Sequence, residues 1–302
     1  MADERIVHQA GRLVTEEEIE HAREVVRLYP GLSRRELART ICEHWGWVTA
    51  AGGYKDRACL RLLERLEERG LLRLPPGHRP KGGRASATRI ALTARTDPDC
   101  ELSGRLSEFQ PVGLEVVGGP LGAGKWEEYV ERYHPLGFRL PFGCSLRYFI
   151  TSPRGRLGCV LFTGASRAIG ARDRWIGWSR LERQRNLAGI INNSRYLLLP
   201  WVRIRFLASH VLALVADRIA DDWQTRWGYR PALMETFVDP ATHRGVCYRA
   251  AGWHLLGQTT GRGLARPGRT YTTRPKLIFV RPLTEDFRTR LREGRWTLED
   301  AR

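Results

Sequence analysis

Apolar residues fall at helical spacing in three stretches near the start of the chain. Thr15 before Glu16, Glu17 and Glu18 predicts a helix start, and Pro30-Gly31 predicts its end. Ser33 with Glu36 three residues on is a capping box ahead of the apolar positions Leu37, Ile41 and Trp45. After Gly46 and Gly52-Gly53, Asp56 is placed to cap a third helix whose buried stripe is Cys59, Leu62, Leu63 and Leu66. Gly70 stops that helix, and Leu71–Leu74 predicts a short strand before Pro75-Pro76. Helix, helix, turn, helix, strand is the order of a winged helix-turn-helix, so residues 1–75 are expected to form a DNA-binding domain.

Residues 76–111 are rich in Pro, Gly, Arg, Ser and Thr and predict a basic linker. The pattern then changes, and residues 112–302 predict an α/β domain on a mixed sheet. SLRYFIT (145–151) and LGCVLFT (157–163) alternate as strands around a hairpin turn at 152–156. A polar, Arg-rich helix is expected over 179–191, a strand over 196–202 and a long helix over 207–223. A strand at 233–238, a short helix at 242–251 and strands at 254–258 and 276–281 complete the set. The overall class is therefore α+β. Gly119 to Lys125 satisfies the spacing of a phosphate-binding loop, but Trp126 stands where Ser or Thr must hold Mg²⁺. That segment is read as a Gly-rich turn before a helix at 125–133.

Charge sharpens the picture. The 302 residues carry 50 Lys and Arg against 33 Asp and Glu, a formal charge of +17, and only Lys55, Lys81, Lys125 and Lys276 are lysines. Such a field attracts polyanions, and the planar guanidinium fork suits phosphate. A content of 42% hydrophobic residues excludes a disordered tail. The six cysteines form no CxxC pair, which argues against a disulfide scaffold or structural zinc. No secretory signal and no membrane-length apolar run is present, so a cytoplasmic protein is expected.

RYHPLG (132–137), LRYFI (146–150), GARDRWIGW (170–178), NNSRYLLLPWVR (192–203), LASHVL (207–212), GYRPALMETFVDP (228–240) and YRAAGW (248–253) together resemble the DruA family. That family belongs to Druantia anti-phage systems and has relatives on mobile elements. The order of elements in the second domain is also similar to the GNAT acyltransferase fold. Acyltransferases of that fold hold coenzyme A in a Q/R-x-x-G-x-G/A loop. Here Arg203 and Ala208 match the pattern, but Phe206 occupies the glycine position and would block the approach of a pyrophosphate. The resemblance thus implies a kept fold with the cofactor lost, and acetyl-CoA is not expected to bind.

Two basic regions emerge as nucleic-acid candidates. One is the third helix, through Tyr54, Lys55, Arg57, Arg61 and Arg65; the alternative there is a solvated face paired with Glu64, Glu67 and Glu68. The other spans 170–205, with Arg172, Arg174, Trp178, Arg180, Arg183, Arg185, Asn192, Asn193, Arg195, Arg203 and Arg205, and Arg167 just ahead. Asp173, Glu235 and Asp239 are candidate catalytic carboxylates, and Glu235 with Asp239 could hold Mg²⁺ or Mn²⁺ for strand cleavage. Tyr248 could attack phosphorus. Each has a structural alternative: Asp173 pairing with Arg172 or Arg174, Asp239 capping, Glu235 finding a buried partner, Tyr248 packing on the sheet. The expected function is DNA binding with strand cutting or joining, in defence or transposition. The alternatives are acyl transfer or non-catalytic DNA recognition. DNA, duplex and single-stranded, is the expected partner, with other defence subunits beside it and no membrane; the oligomeric state stays open, a dimer included.

Overall fold

The structure is a computed structural model that describes residues 7–29, 32–49, 53–75, 90–141, 143–166, 168–261 and 274–294. The first unit opens with a hairpin of β1 (Val7–Gln9) and β2 (Arg12–Val14), turning through Ala10-Gly11. It continues with α1 (Glu16–Leu28), α2 (Arg34–Trp45) and α3 (Asp56–Glu68). The expected capping box of Ser33 with Glu36 forms, and the helix start expected at Thr15 is itself a capping box with Glu18. Leu37, Ile41, Leu62, Leu63 and Leu66 pack with no exposed surface at the centre. Two local expectations are corrected. Asp56 is the first helical residue rather than the cap, its Oδ1 accepting only the Arg57 amide at 2.9 Å. Leu71–Leu74 forms no strand, so a wing after α3 is not shown. The expected helix stop at Pro30-Gly31 lies outside the described residues, as do 76–89.

The second unit begins earlier than expected. A 3-10 turn at Ala94–Thr96, β3 (Leu102–Gly104) and a second 3-10 turn at Leu106–Phe109 are built into it, although this stretch reads as linker in the sequence. The buried Glu128 carboxylate holds the first turn. It accepts hydrogen bonds from the Thr93 amide, the Thr93 hydroxyl (3.2 Å), Arg95 Nε (2.5 Å) and the Thr96 hydroxyl (2.8 Å).

The remaining elements are β4 (Gly113–Val116), α4 (Gly119–Tyr133), β5 (Ser145–Ser152), β6 (Gly155–Gly164), α5 (Gly170–Ile176) and α6 (Arg180–Asn186). Then come β7 (Ile190–Leu198), β8 (Val202–Ile204), α7 (Leu207–Trp227), β9 (Leu233–Val238), α8 (Val246–Ala250), β10 (His254–Gln258), β11 (Leu277–Pro282) and α9 (Phe287–Glu293). Seven strands form one mixed sheet in the order β10-β11-β9-β7-β6-β5-β4. Every neighbouring pair is antiparallel except β7 and β9, whose connection runs through β8 and α7. A separate parallel pair joins β3 to β8. Trp126, Trp223, Tyr148, Phe162 and Phe279 fill the core. The Gly119–Gly124 segment starts α4 instead of forming a turn before it. No helix among the described residues is long and apolar enough to cross a membrane.

The two units meet at α6 and at the residue that follows the C-cap of α7. Arg185 pairs with Glu17 of α1, and Tyr29 sets its ring edge-on against Tyr229 at 5.6 Å.

Candidate nucleic-acid interface

The residues nominated for catalysis stand where the sheet divides. β7 and β9 pair over only three positions, Ile190 with Leu233, Ile191 with Met234 and Asn192 with Glu235. Beyond them the strands are bridged by side chains: the Thr236 hydroxyl donates to the Asn193 carbonyl (2.9 Å), and the Tyr248 hydroxyl donates to Asn193 Oδ1 (2.9 Å). Gly245 lets α8 approach this point, because its φ is +68° and a Cβ there would meet the Phe279 ring at 2.5 Å.

Tyr248 is held in the packing arrangement, the alternative to its reading as a nucleophile. Its ring stacks on Phe279 at 5.6 Å and meets Trp253 edge-on at 5.1 Å. Burial pushes its phenol further above the usual range, so no phenolate forms near neutral pH. Tyr248→Phe is expected to lower stability by about 1 kcal/mol, the worth of one neutral hydrogen bond, and to leave DNA affinity unchanged. Denaturant melts and a gel-shift titration check both halves.

The carboxylates are also committed. Glu235 is fully buried and accepts from Arg172 Nη1 (2.7 Å) and the Ser166 amide (2.6 Å). Arg172, itself fully buried, also donates to the Ser166 carbonyl (2.7 Å) and to Asp173 (2.9 and 3.0 Å). Asp173 takes a third donor in Arg183 at 2.9 Å. Asp239 caps the following turn, accepting the Ala241 amide at 2.9 Å. Three residues stand between Glu235 and Asp239, so extended chain sets their Cα atoms roughly 13 Å apart. Among the described residues no group of three or more His, Cys, Asp or Glu is arranged to hold a metal.

The expected nucleic-acid residues sort into two sets. Arg172, Trp178 and Asn193 are buried, with the Arg172 guanidinium 5.8 Å from the Trp178 ring centre. Arg183 and Arg185 are taken by Asp173 and Glu17. Asn192 lies half-buried in β7. Arg195 donates to the carbonyls of Gly137 (2.8 Å) and Ser194 (2.7 Å), at a bulge between Asn193 and Arg195 opposite β6. Burial, followed by the nearby Arg139, lowers its pKa from the ordinary value. On α3, Arg65 holds the first hairpin through the His8 carbonyl (3.1 Å) and Gln9 (2.8 Å). Tyr54 sits under Arg39 with its ring centre 5.7 Å away, and Lys55 reaches the Ala10 carbonyl at 3.5 Å. What remains is Arg57 and Arg61 on α3 and Arg174, Arg180, Arg203 and Arg205 on the second unit: all exposed, none ion-paired to a described residue. Arg167 lies outside the described residues. Arg69, one turn beyond Arg65, is also exposed.

A family profile described as Druantia protein DruA matches residues 107–273, more than half of the chain. The chain belongs to the DruA family. The DruA match takes in β4 through β10 and leaves the three-helix unit outside it. No curated protein matches the sequence. Among solved structures, the chain is similar to an aminoglycoside acetyltransferase, AAC(6')-Ib, in complex with coenzyme A and kanamycin, at 14% identity and a TM-score of 0.38, covering 59% of this chain and 98% of that one. It is similar to an acetyltransferase of Bacillus subtilis in complex with coenzyme A at 7% identity and 0.32, covering 57% and 99%. It is similar too to FeeM, an N-acyl amino acid synthase from uncultured soil microbes, at 10% identity and 0.33, covering 58% and 91%.

Proposed function

We propose that this DruA-family chain is a DNA-recognition component of an anti-phage defence system. The observation that carries this reading is that the charge excess stays in solvent. Arg57, Arg61, Arg174, Arg180, Arg203 and Arg205 are exposed without a carboxylate partner among the described residues, whereas the buried Arg172 is paired. Exposed guanidinium forks with no internal partner suit phosphate oxygens.

Binding of this kind weakens steeply with salt, the logarithm of the affinity falling by about 0.9 per phosphate neutralised for each decade of salt. Removing Arg57 and Arg61 together is expected to reduce that slope by about 2 and to weaken all sequences alike. Fluorescence anisotropy on duplex oligonucleotides at several salt concentrations measures it. Affinity that does not respond to salt would overturn the reading.

Strand cutting or joining through Glu235 and Tyr248 would need both side chains released from their present bonds. Incubating supercoiled DNA with the protein and Mg²⁺ or Mn²⁺ tests this. Cleavage that disappears in Glu235→Gln at unchanged stability would replace recognition with catalysis. A thermal shift on adding acetyl-CoA would favour acyl transfer instead.

A further inference from the structure

Phe206 combines two costs at one position. Its φ is +65°, a left-handed conformation that glycine enters freely and bulky side chains avoid. It is also 73% exposed, and it is the one exposed aromatic side chain among the described residues. Neither cost serves packing. The ring's neighbour is the Arg205 guanidinium, 5.6 Å from its centre. The backbone here makes the turn that a glycine would make, leading into α7, yet a ring projects from it into water.

The surroundings are cationic. Arg203 and Arg205 precede the ring in sequence and are exposed. The parallel pairing of β3 with β8 sets Gly104 beside Ile204, and the exposed Arg105 and Arg205 directly follow those two paired residues. The first turn of α7 holds no acid. His210 and Gln110 touch nearby at 3.3 Å. The acid at this edge is Glu108, whose carboxylate accepts the Arg105 amide at 2.8 Å.

An aromatic face among guanidinium groups is the composition of a single-strand binding site, where bases stack and phosphates pair. We propose that Phe206 is a stacking platform for an unpaired base, with Arg105, Arg203 and Arg205 taking the adjoining phosphates. This rests on the DNA-recognition reading and narrows it to single-stranded or gapped DNA at this edge.

The test is binding of single-stranded, gapped and fully paired oligonucleotides, the first two carrying 2-aminopurine as a stacking reporter. Phe206→Gly is expected to melt at or above the wild-type temperature, because glycine relaxes the left-handed backbone. Its affinity for single-stranded and gapped DNA should fall roughly 5- to 150-fold, the range for loss of one stacked base, with loss of 2-aminopurine quenching. Fully paired DNA should bind as before, and Phe206→Trp should retain single-strand binding. Equal single-strand binding by wild type and Phe206→Gly would overturn the stacking role while leaving DNA recognition intact. So would a clearly lowered melting temperature in the glycine variant, since the ring would then be a packing residue. Wild-type protein that binds none of the three DNAs would overturn both.

Discussion

Arg172→Met is expected to cost about 3–5 kcal/mol of folding stability, because it leaves the Glu235 carboxylate buried without its charge partner. Both side chains are fully inaccessible, and the pair lies 2.7 Å apart. The guanidinium satisfies three groups at once: Glu235, Asp173 and the Ser166 carbonyl. Asp173 keeps Arg183 in the variant, so the loss concentrates on Glu235. The double change Arg172→Met with Glu235→Leu should recover most of the stability, since an apolar pair of similar volume often matches a buried ion pair. Urea denaturation of wild type, single and double variants reads all three values. If the double variant is no more stable than the single one, the Glu235 carboxylate has a role beyond pairing, and the structural assignment fails.

The second large effect belongs to Glu128. Burial alone would raise its pKa. The bonds from the Thr93 amide, Arg95, the Thr96 hydroxyl and the Thr93 hydroxyl outweigh that and hold the carboxyl down at about 2. The folded pKa lies below the ordinary value of 4.5, so the ionised carboxylate stabilises the fold above that pH. The contribution is lost as acidity carries the pH down from about 4.5 through about 2. Each tenfold gain in acidity on folding is worth roughly 1.4 kcal/mol, so the ionised group contributes about 3 kcal/mol. Glu128→Gln should therefore be about 3 kcal/mol less stable than wild type at neutral pH, and the gap should close near the folded pKa. Melts across that pH range check it. A gap that stays constant on acidification would mean that hydrogen bonding, not ionisation, holds the 93–96 turn.

The elements that could be read from sequence are those specified by neighbours. The two capping boxes, the β5–β6 hairpin and strands β9 and β10 all announce themselves within a few residues. β7 starts at Ile190, six residues before the apolar run at 196, because Asn192, Asn193 and Arg195 disguise its first half. Asn193 is tolerated there because the distant Tyr248 hydroxyl satisfies its Oδ1, and Arg195 because the Gly137 and Ser194 carbonyls take its guanidinium. The predicted helix over 179–191 accordingly stops at Asn186. β3 was hidden for a similar reason: its partner strand among the described residues lies about a hundred residues away, and three residues carry too little pattern.

The site was partly legible. Arginine content marked the right segments, but which arginines remain available depends on contacts far apart in the chain. Arg172 meets Glu235 across 63 positions, and Arg185 meets Glu17 across 168. The Asp173–Arg172 pair, one residue apart, was the alternative that sequence could propose, and the structure adopts it.

The brevity of the β7–β9 contact has a consequence for how the sheet assembles. β5 and β6 pair through a tight hairpin, while β4 reaches β5 across α4 and β6 reaches β7 across α5 and α6. β9 must wait for α7 to cross over, and then gains only three paired positions against β7. Strands β9, β11 and β10 are therefore joined to the rest of the sheet by that short ladder, by the Thr236 and Tyr248 bonds to Asn193, and by the buried Arg172–Glu235 pair.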